Sequence, residues 1–429
     1  MTAKQAKTGR RRWLPALAIV VAAIAALAAL VAFLNLRGES PVGQVAATAP
    51  SAETIRRGAY LALAGNCAGC HTAPDGTGYA GGRGIETPFG VIFASNLTPD
   101  PDTGIGDWSA DEFWRAMHNG RSKDGRLLYP AFPYPNYTQV TREDSDAIYA
   151  FLQSLPPVVR PNRAHALRFP YGLQASLAVW RALFFKPAAF EPDPARPAEW
   201  NRGAYLVRSL GHCGACHSPR NFLGAVAPAS EFTGGPLSGA GWYAPSLKAA
   251  EEAGVAHWEI ADIVSLLQTG QSQRASAIGP MAEVVFRSTQ HLDEADLQAM
   301  AVFLKSLSPQ PVAVDEAPEP SAALLDRGRE VYEAQCANCH GDEGEGAAGA
   351  YAPLAGNRAV TMASSANVVR MVLDGGFTPS TTGNPRPYGM PPFAHSLDNA
   401  DIAAVVSYIR NAWGNRASQV SPLDLMRYR

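Results

Sequence analysis

Three short motifs with the pattern Cys-x-x-Cys-His constrain this chain more than any other feature of its sequence. They occupy residues 67–71, 213–217 and 336–340 and use all six cysteines. Two thiols three residues apart lie on one face of a helical turn, so both can bond the edge of one porphyrin, and the next histidine can ligate the iron. The motifs therefore predict three covalently bound haem c groups, attached through Cys67, Cys70, Cys213, Cys216, Cys336 and Cys339 and ligated by His71, His217 and His340.

Other uses of paired cysteines explain this pattern less well. A single copy could be a redox-active dithiol or half of a zinc site, and six cysteines could form disulfides. None of these sites requires a histidine directly after each cysteine pair, whereas haem attachment does. Three copies with the same adjacent histidine therefore favour haem.

The length of the chain fits one haem motif per domain. Its 429 residues have room for about three ordinary domains. We expect a mainly α fold with three tandem cytochrome c-type domains after an N-terminal transmembrane helix. The net charge of −2 offers no overall field that would favour nucleic acid. The expected segments are a basic tip and anchor (1–37), domain 1 (52–158), a linker with an apolar segment (159–194), domain 2 (195–308), a Pro-rich linker (309–320) and domain 3 (321–418).

The N-terminus predicts export and membrane attachment. A charge-free run of 24 residues, Trp13–Leu36, is long enough to cross ~30 Å of hydrocarbon. A cleaved signal peptide has a shorter apolar core, and the best cleavage candidate, residues 47–49, is followed by Pro50. We predict an uncleaved anchor in the cytoplasmic (inner) membrane, with the haem domains facing the periplasm; a cleaved signal is the alternative. The basic residues that should stay in the cytoplasm are Lys4, Lys7, Arg10, Arg11 and Arg12.

The chain also repeats one plan around each motif. Before the cysteines, a predicted helix carries Arg-Gly and an aromatic residue, and after them a closing amphipathic helix is predicted at 146–155, 296–307 and 401–413. A glycine within a helix costs ~1 kcal/mol, so its recurrence predicts a close helix crossing. The recurring opening residues are Arg57, Gly58 and Tyr60, then Arg202, Gly203 and Tyr205, then Arg327, Gly328 and Tyr332.

The linker at 159–194 contains an apolar segment, residues 177–185, that is too short to span a membrane. It could pack between haem domains, contact the bilayer surface or bind a partner. A long connection that carries apolar residues is often functional.

Methionines are the expected sixth ligands of two haems. Cytochromes c usually place a Met sulfur opposite the histidine, and we expect it in a loop shortly before the closing helix. Met281 and Met390 occupy such positions, each beside proline and glycine. The alternative is that each is an ordinary loop methionine.

The first repeat breaks this pattern, because Phe132 stands where methionine is expected and a phenyl ring cannot ligate iron. The remaining candidates are Met117 and His118, on a helix predicted at 111–119. Internal comparison aligns Met117 with Leu267 and Val372, so core packing is its default role. Ligation by His118, ligation by Met117 and an open site all remain possible; histidine would lower the potential of this haem.

With these motifs in view, the chain resembles the three-haem cytochrome c subunits of membrane-bound bacterial dehydrogenases. That family includes partners of alcohol, gluconate, sorbitol and fructose dehydrogenases and of molybdenum-containing aldehyde and N-heterocycle dehydrogenases. The resemblance covers roughly residues 53–415. Besides the haem motifs, it is carried by residues 87–90 (TPFG), 96–99 (NLTP), 129–131 (YPA), 279–285 (GPMAEVV), 390–393 (MPPF) and 413–415 (WGN).

The resemblance implies an electron-transfer subunit without substrate chemistry of its own. It would take electrons from one or more catalytic dehydrogenase subunits and pass them to ubiquinone or a downstream oxidase. Flavin- and quinoprotein-linked members look like Tyr-Pro-Ala-Met-Pro-Tyr where this chain has Phe132, so the departure favours a molybdenum hydroxylase partner. An alcohol- or gluconate-type dehydrogenase is the alternative. Other classes kept open are a haem peroxidase that uses an open first haem and a terminal-oxidase cytochrome subunit.

Overall fold

The computed structural model describes residues 10–39, 42–43, 49–74, 76–237, 239, 241–311 and 319–428. Lys4, Lys7 and the candidate cleavage residues 47–48 lie outside the described residues, as does most of the linker at 309–320. The first element is helix α1 (Arg10–Leu36). Its apolar part, Trp13–Leu36, is long enough to cross a membrane and is exposed along most of its length, as a membrane-spanning helix would be.

The first repeat, defined as the elements from the first helix after α1 to its closing helix, is mainly helical. A small antiparallel hairpin follows the haem motif. The elements are α2 (Ala52–Ala64), α3 (Cys67–His71), β1 (Gly84–Thr87), β2 (Gly90–Phe93), α4 (Ala110–Asn119), α5 (Tyr134–Tyr137) and α6 (Arg142–Gln153).

Part of the connection between the first and second repeats forms a strand that pairs with the sheet of the first repeat. Strand β3 (Ala166–Leu167) pairs antiparallel with β2, so this part of the linker belongs to the first repeat's sheet. Helix α7 (Gln174–Phe184) follows and packs against the end of α1.

The second repeat has the same plan, with one π-helical turn, Leu206–Leu210, just before its haem motif. Two antiparallel strands follow the motif. The elements are α8 (Ala198–Tyr205), β4 (Gly235–Leu237), β5 (Trp242–Ala244), α9 (Ile260–Thr269), α10 (Gly279–Arg287) and α11 (Glu294–Lys305), with short 3-10 turns at Cys213–Ala215, Pro228–Ser230 and Thr289–His291.

The third repeat also places an opening helix and a closing helix around its motif. Its two short strands pair antiparallel. The elements are α12 (Ala322–Gln335), α13 (Ala337–His340), α14 (Arg358–Thr361), α15 (Ala366–Asp374), β6 (Gly376–Phe377), β7 (Gly389–Met390), α16 (Asn399–Ile409) and the final α17 (Pro422–Leu425).

The closing helices exist as predicted but begin and end earlier than the sequence pattern indicated. α6, α11 and α16 start two to four residues before the predicted positions. Thr141 explains the early start of α6, because its side chain accepts a hydrogen bond from the Asp144 amide; Asp398 does the same for α16. The predicted helix at 111–119 is observed as α4, capped by Ser109 and Glu112.

The predicted close helix crossing is confirmed in all three repeats. The opening helix crosses the closing helix at the recurring glycine, where a side chain would collide with a backbone carbonyl of the other helix. A Cβ atom would lie 1.8 Å from the oxygen of Ala147 at Gly58, 1.9 Å from that of Ala299 at Gly203 and 2.3 Å from that of Ala404 at Gly328.

An ion pair between arginine and aspartate, which was not predicted from the sequence, lies beside each helix crossing. The arginine before the glycine binds an aspartate one turn before the facing alanine, which places both charges at the rim of the helix contact. The Nη2–carboxylate distances are 2.6 Å for Arg57 and Asp144, 2.7 Å for Arg202 and Asp296, and 2.7 Å for Arg327 and Asp401.

The first and second repeats pack as a reciprocal pair. Tyr60 of the first donates a hydrogen bond to Asp296 of the second (2.6 Å), and Tyr205 of the second donates to Asp144 of the first (2.6 Å). Their apolar side chains form one continuous core, which includes Leu61, Ile148, Leu206 and Leu297, whereas the third repeat has its own. These two repeats are therefore related by a local two-fold pseudosymmetry.

The third repeat is attached differently, because Glu330 occupies the position equivalent to Tyr60 and Tyr205. It contacts the second repeat through paired hydrogen bonds between Asn367 and the Tyr243 backbone (2.9 and 2.8 Å). Arg358 adds bonds to backbone carbonyls of the second repeat and lies 4.8 Å from the ring centroid of Trp258. These contacts are more polar than the shared core of the first pair.

Candidate haem sites

Each Cys-x-x-Cys-His motif forms a tight turn that presents two free thiols. The first is the one-turn helix α3, the second begins with a 3-10 turn, and the third overlaps α13. All six cysteines are unbridged, so the structure does not support the disulfide alternative. Among the described residues no group of three or more histidine, cysteine or acidic side chains could hold a metal ion, so nothing there completes a zinc site.

The three motif histidines share one hydrogen bond. In each, Nδ1 donates to a backbone carbonyl from the loop that follows the motif: Ser95 for His71 (2.7 Å), Pro245 for His217 (2.7 Å) and Ala352 for His340 (2.9 Å). Such a bond fixes the ring orientation and leaves Nε2 as the nitrogen with a free lone pair. The second motif is therefore built like the other two.

The pKa shifts of the motif histidines and cysteines fit haem attachment better than a redox-active dithiol. Burial lowers the pKa of His71 and of His217, which favours the neutral imidazole that ligates iron. Burial raises the pKa of Cys67 and Cys213 to about 12 and that of Cys336 to about 11. Redox-active dithiols have a depressed thiol pKa instead. In the first two repeats, paired neutral thiols beside a hydrogen-bonded neutral imidazole fit covalent haem c.

Aromatic side chains brace the turns that carry the motifs. Tyr137 donates a hydrogen bond to the carbonyl of Gly65, two residues before Cys67 (2.9 Å). Tyr332 donates to the carbonyl of Gly341, directly after the third motif (2.5 Å). Both tyrosines are buried, so these bonds tie the motifs to the hydrophobic cores of their repeats.

Asn66 and His212 occupy the position directly before the first cysteine in two of the repeats. Both adopt the left-handed conformation, with φ of 47° and 37°. Nδ1 of His212 bonds the carbonyl of Leu210 (2.8 Å), and its ring packs edge-on against Tyr137 (5.3 Å between centroids). His212 is thus engaged by its own loop and by the first repeat.

Met281 lies in a helix and not in the expected loop. It occupies the first turn of α10, which begins at Gly279 with φ of +53°. A Cβ at Gly279 would lie 2.7 Å from the ring of Trp242, so only glycine allows this close approach. Met281 is partly buried against the shared core of the first two repeats. Its role as an iron ligand stays a prediction.

Met390 lies in strand β7, opposite Gly376 of β6. A Cβ at Gly375, whose φ is +64°, would lie 2.3 Å from the carbonyl oxygen of Met390, so the backbone approach again depends on glycine. The side chain is partly buried against the core of the third repeat, which also contacts Cys336. Its role as an iron ligand also stays a prediction.

In the first repeat, Phe132 fills the position that methionine would occupy and packs against Tyr137, with 5.4 Å between ring centroids. Met117 is buried in the core, as its counterparts Leu267 and Val372 are in theirs, which agrees with the core role that internal comparison predicts. His118 stacks on Trp114 at 4.5 Å, and burial lowers its pKa. The choice among Met117, His118 and an open site stays a prediction.

Arg83 links the first haem motif to the helix that carries Met281. It donates to the carbonyl of Gly69 (2.5 Å) and pairs with Glu283, whose second partner is Arg287 (3.0 Å). Burial alone would raise the pKa of Glu283, but the two arginines hold it below its usual range. This contact was not predicted from the sequence, although Glu283 belongs to a motif that carries the family resemblance.

Comparisons with known proteins agree with this geometry. The family model described as Cytochrome c matches residues 55–156 and 325–413. The cytochrome c subunit of alcohol dehydrogenase (quinone) from Gluconacetobacter polyoxogenes is 38% identical over 407 residues, which cover 90% of this chain and 87% of that protein. The gluconate 2-dehydrogenase cytochrome c subunit from Pantoea cypripedii is 36% identical, over 85% of this chain and 86% of its own.

A further relative is a subunit of nicotinate dehydrogenase from Pseudomonas putida, which is 40% identical over 384 residues; these cover 86% of this chain and 32% of that protein. The mainly helical fold and the expected family are thereby confirmed. The first two relatives are named as cytochrome c subunits of dehydrogenases, and the third as a dehydrogenase subunit. The chain belongs to the family of cytochrome c subunits of bacterial dehydrogenase complexes, and it is an electron-transfer subunit, not a catalytic one.

Proposed function

We propose that this chain is a membrane-anchored cytochrome with three haems, which takes electrons from a partner dehydrogenase and passes them to ubiquinone or a downstream oxidase. The observation that carries the proposal is the hydrogen bond from Nδ1 of the motif histidine to a loop carbonyl, present in all three motifs. When bound, each haem would supply one-electron exchange between ferric and ferrous iron.

Cysteine, histidine and methionine side chains would divide the work of holding the haems. The two cysteines of each motif would attach the porphyrin, and His71, His217 and His340 would ligate the iron. Met281 and Met390 would be sixth ligands in the second and third repeats, where a sulfur ligand raises the potential. In this proposal each haem belongs to its own domain, and the three domains comprise residues 52–158, 195–308 and 321–418.

The N-terminus supports the proposed location. α1 would anchor the chain in the cytoplasmic membrane, and the basic residues that precede its apolar part would stay on the cytoplasmic side. The haem-binding repeats would then face the periplasm, where a respiratory dehydrogenase can reach them.

We favour a molybdenum hydroxylase as the partner, because Phe132 replaces the methionine typical of flavin- and quinoprotein-linked members. Nicotinate, named in one relative, is an N-heterocycle of the kind such enzymes oxidise. The second candidate is an alcohol- or gluconate-type dehydrogenase, which is supported by relatives that match this chain over most of both lengths.

The partner test is affinity capture of the tagged full-length chain from its native membranes, followed by metal and cofactor analysis of the captured complex. We expect a catalytic chain with about one molybdenum per cytochrome. A flavin or a quinone cofactor without molybdenum would favour the second candidate. A copper–haem oxidase core without any dehydrogenase would contradict the proposal.

The first haem has its own test. Potentiometric titration of the purified chain should separate one low-potential haem from two higher ones, and His118→Ala should shift only the low one if His118 is the ligand. Met117→Leu tests the other candidate on the same helix and should shift the low potential only if Met117 is the ligand. Carbon monoxide binding to the reduced protein, together with peroxide turnover, would instead support the peroxidase alternative.

A further inference from the structure

Helix α7 exposes an apolar face that no described part of the chain covers. Val179, Leu183 and Phe184 are exposed on it, and Leu183 has 66% of its surface accessible. Its one charged residue, Arg181, is buried. The preceding loop adds Phe169 and Leu173, and Phe169 is 85% exposed. We call these five exposed side chains the α7 patch. Water-exposed helices normally place charged residues on such a face.

The patch is held at the end of the apolar helix α1. The Asn35 side chain donates to the carbonyl of Ala178 (2.9 Å) and accepts from Nε of Arg181 (2.9 Å). Arg37 donates to the carbonyl of Phe185, just beyond α7 (2.6 Å). Asn35 lies one residue before the end of the membrane-spanning candidate, so these bonds hold α7 at the level where α1 would leave the bilayer.

The charges around the patch suit anionic lipid headgroups. The sequence between Asp146 and Glu191 contains no acidic residue, and Glu39, which lies near Arg181, is paired with Arg121 (2.9 Å). Arg168 and Lys186 flank α7 and are exposed. Cations near a membrane surface contribute about 1 kcal/mol each when the lipids are anionic.

We propose that the α7 patch inserts into the headgroup–acyl boundary of the outer leaflet of the same bilayer that α1 crosses. With 11 residues α7 cannot span the membrane, but an apolar helix face flanked by cations can lie along its surface. The proposal rests on the anchoring by α1 proposed above. It adds a second attachment point, which orients the first repeat and its haem motif at the membrane surface, where a lipid-soluble quinone arrives.

The test compares Leu183→Cys with Leu423→Cys in the full-length haem-loaded chain in nanodiscs of phosphatidylglycerol and phosphatidylethanolamine. Leu183 and Leu423 are exposed to 66% and 68%, so the two sites match in the absence of lipid, and the native cysteines are expected to be consumed by haem. The rate of labelling with a charged maleimide is followed by mass spectrometry and divided by the rate for the same variant in urea.

We expect Cys labelling at position 183 to be at least tenfold slower than at position 423. Equal rates in a chain that co-purifies with the nanodiscs would overturn the α7 contact alone. A chain that does not co-purify would overturn the anchoring by α1 and this proposal with it. Protection at position 183 that appears only with the catalytic subunit would assign the patch to a protein partner and also overturn the proposal.

Discussion

Substitution of Gly58, at the helix crossing of the first repeat, changes the free energy of unfolding through two opposing effects. The sign of the change shows which effect is larger. Gly58→Ala replaces a glycine within α2 by the best helix former, which alone would stabilise the chain by ~1 kcal/mol. The added Cβ, however, would lie 1.8 Å from the carbonyl oxygen of Ala147 on α6, whereas ordinary contacts need about 3.5 Å. The colliding atom belongs to the backbone, so no side-chain rotation relieves it, and the helices must separate.

Overpacking of this kind costs typically about 1–3 kcal/mol, and occasionally more. Because the clash is severe and rigid, we expect a cost at or above the upper end of that range and a net loss of roughly 2 kcal/mol after the gain in helix propensity. Gly203→Ala should behave alike, and Gly328→Ala should be milder, since its Cβ would lie 2.3 Å from the facing oxygen.

The assay is urea unfolding of the haem-loaded chain, followed by the helical circular dichroism signal and the haem absorbance of each variant. Gly78→Ala is the control, because nothing lies within 4 Å of a Cβ at that position. A Gly58→Ala protein as stable as the parent, or more stable, would show that helix propensity dominates and would refute the close crossing as the reason for glycine.

Three other residues give testable expectations. Tyr60→Phe should lower the free energy of unfolding by ~1–2 kcal/mol, because it removes the hydrogen bond to Asp296; an unchanged value would mean that this contact does not stabilise the pair of repeats. The pKa of Glu283 is lowered in the folded chain, so its pairing with Arg83 stabilises the fold above pH ~4, near the pKa of an unfolded glutamate. This stabilisation is lost as the pH falls through the lowered pKa of the folded chain. Glu283→Gln should therefore reduce the dependence of the unfolding free energy on acid pH. Met390→Leu should lower the midpoint potential of one haem and change its ferric spectrum, and an unaltered spectrum would rule out ligation by Met390.

Local and repeated features were predictable from the sequence. The haem motifs were predicted from the spacing of cysteine and histidine alone, and α1 from a long apolar run. The helix crossings were predicted because glycine recurs at the same position in all three repeats. The ion pair between Arg57 and Asp144 joins residues far apart in sequence, and such pairs depend on how helices meet. Comparison of the repeats could have suggested it, since arginine and aspartate recur at matching positions in all three.

Contacts between repeats were not predictable from the sequence. Nothing local marks Tyr60 as the partner of Asp296 in another repeat, because that bond depends on how the helix pairs of the two repeats pack against each other. The structure of the linker at 159–194 was also not predictable from the sequence. Its residues 166–167 add a strand to the sheet of the first repeat, and α7 packs against α1 with one face exposed. Met281 was expected in a loop, but the segment after Gly279 has enough apolar spacing to form a helix.

We propose that the chain holds three haems and not two. Coulometric titration of the purified full-length chain measures this directly, together with proteolysis and mass spectrometry of the haem-bearing peptides. We predict three electrons per chain and three haem peptides, which contain Cys67, Cys213 and Cys336. Two electrons per chain, with the peptide of Cys213 free of haem, would contradict the conclusion that the second motif is built like the other two.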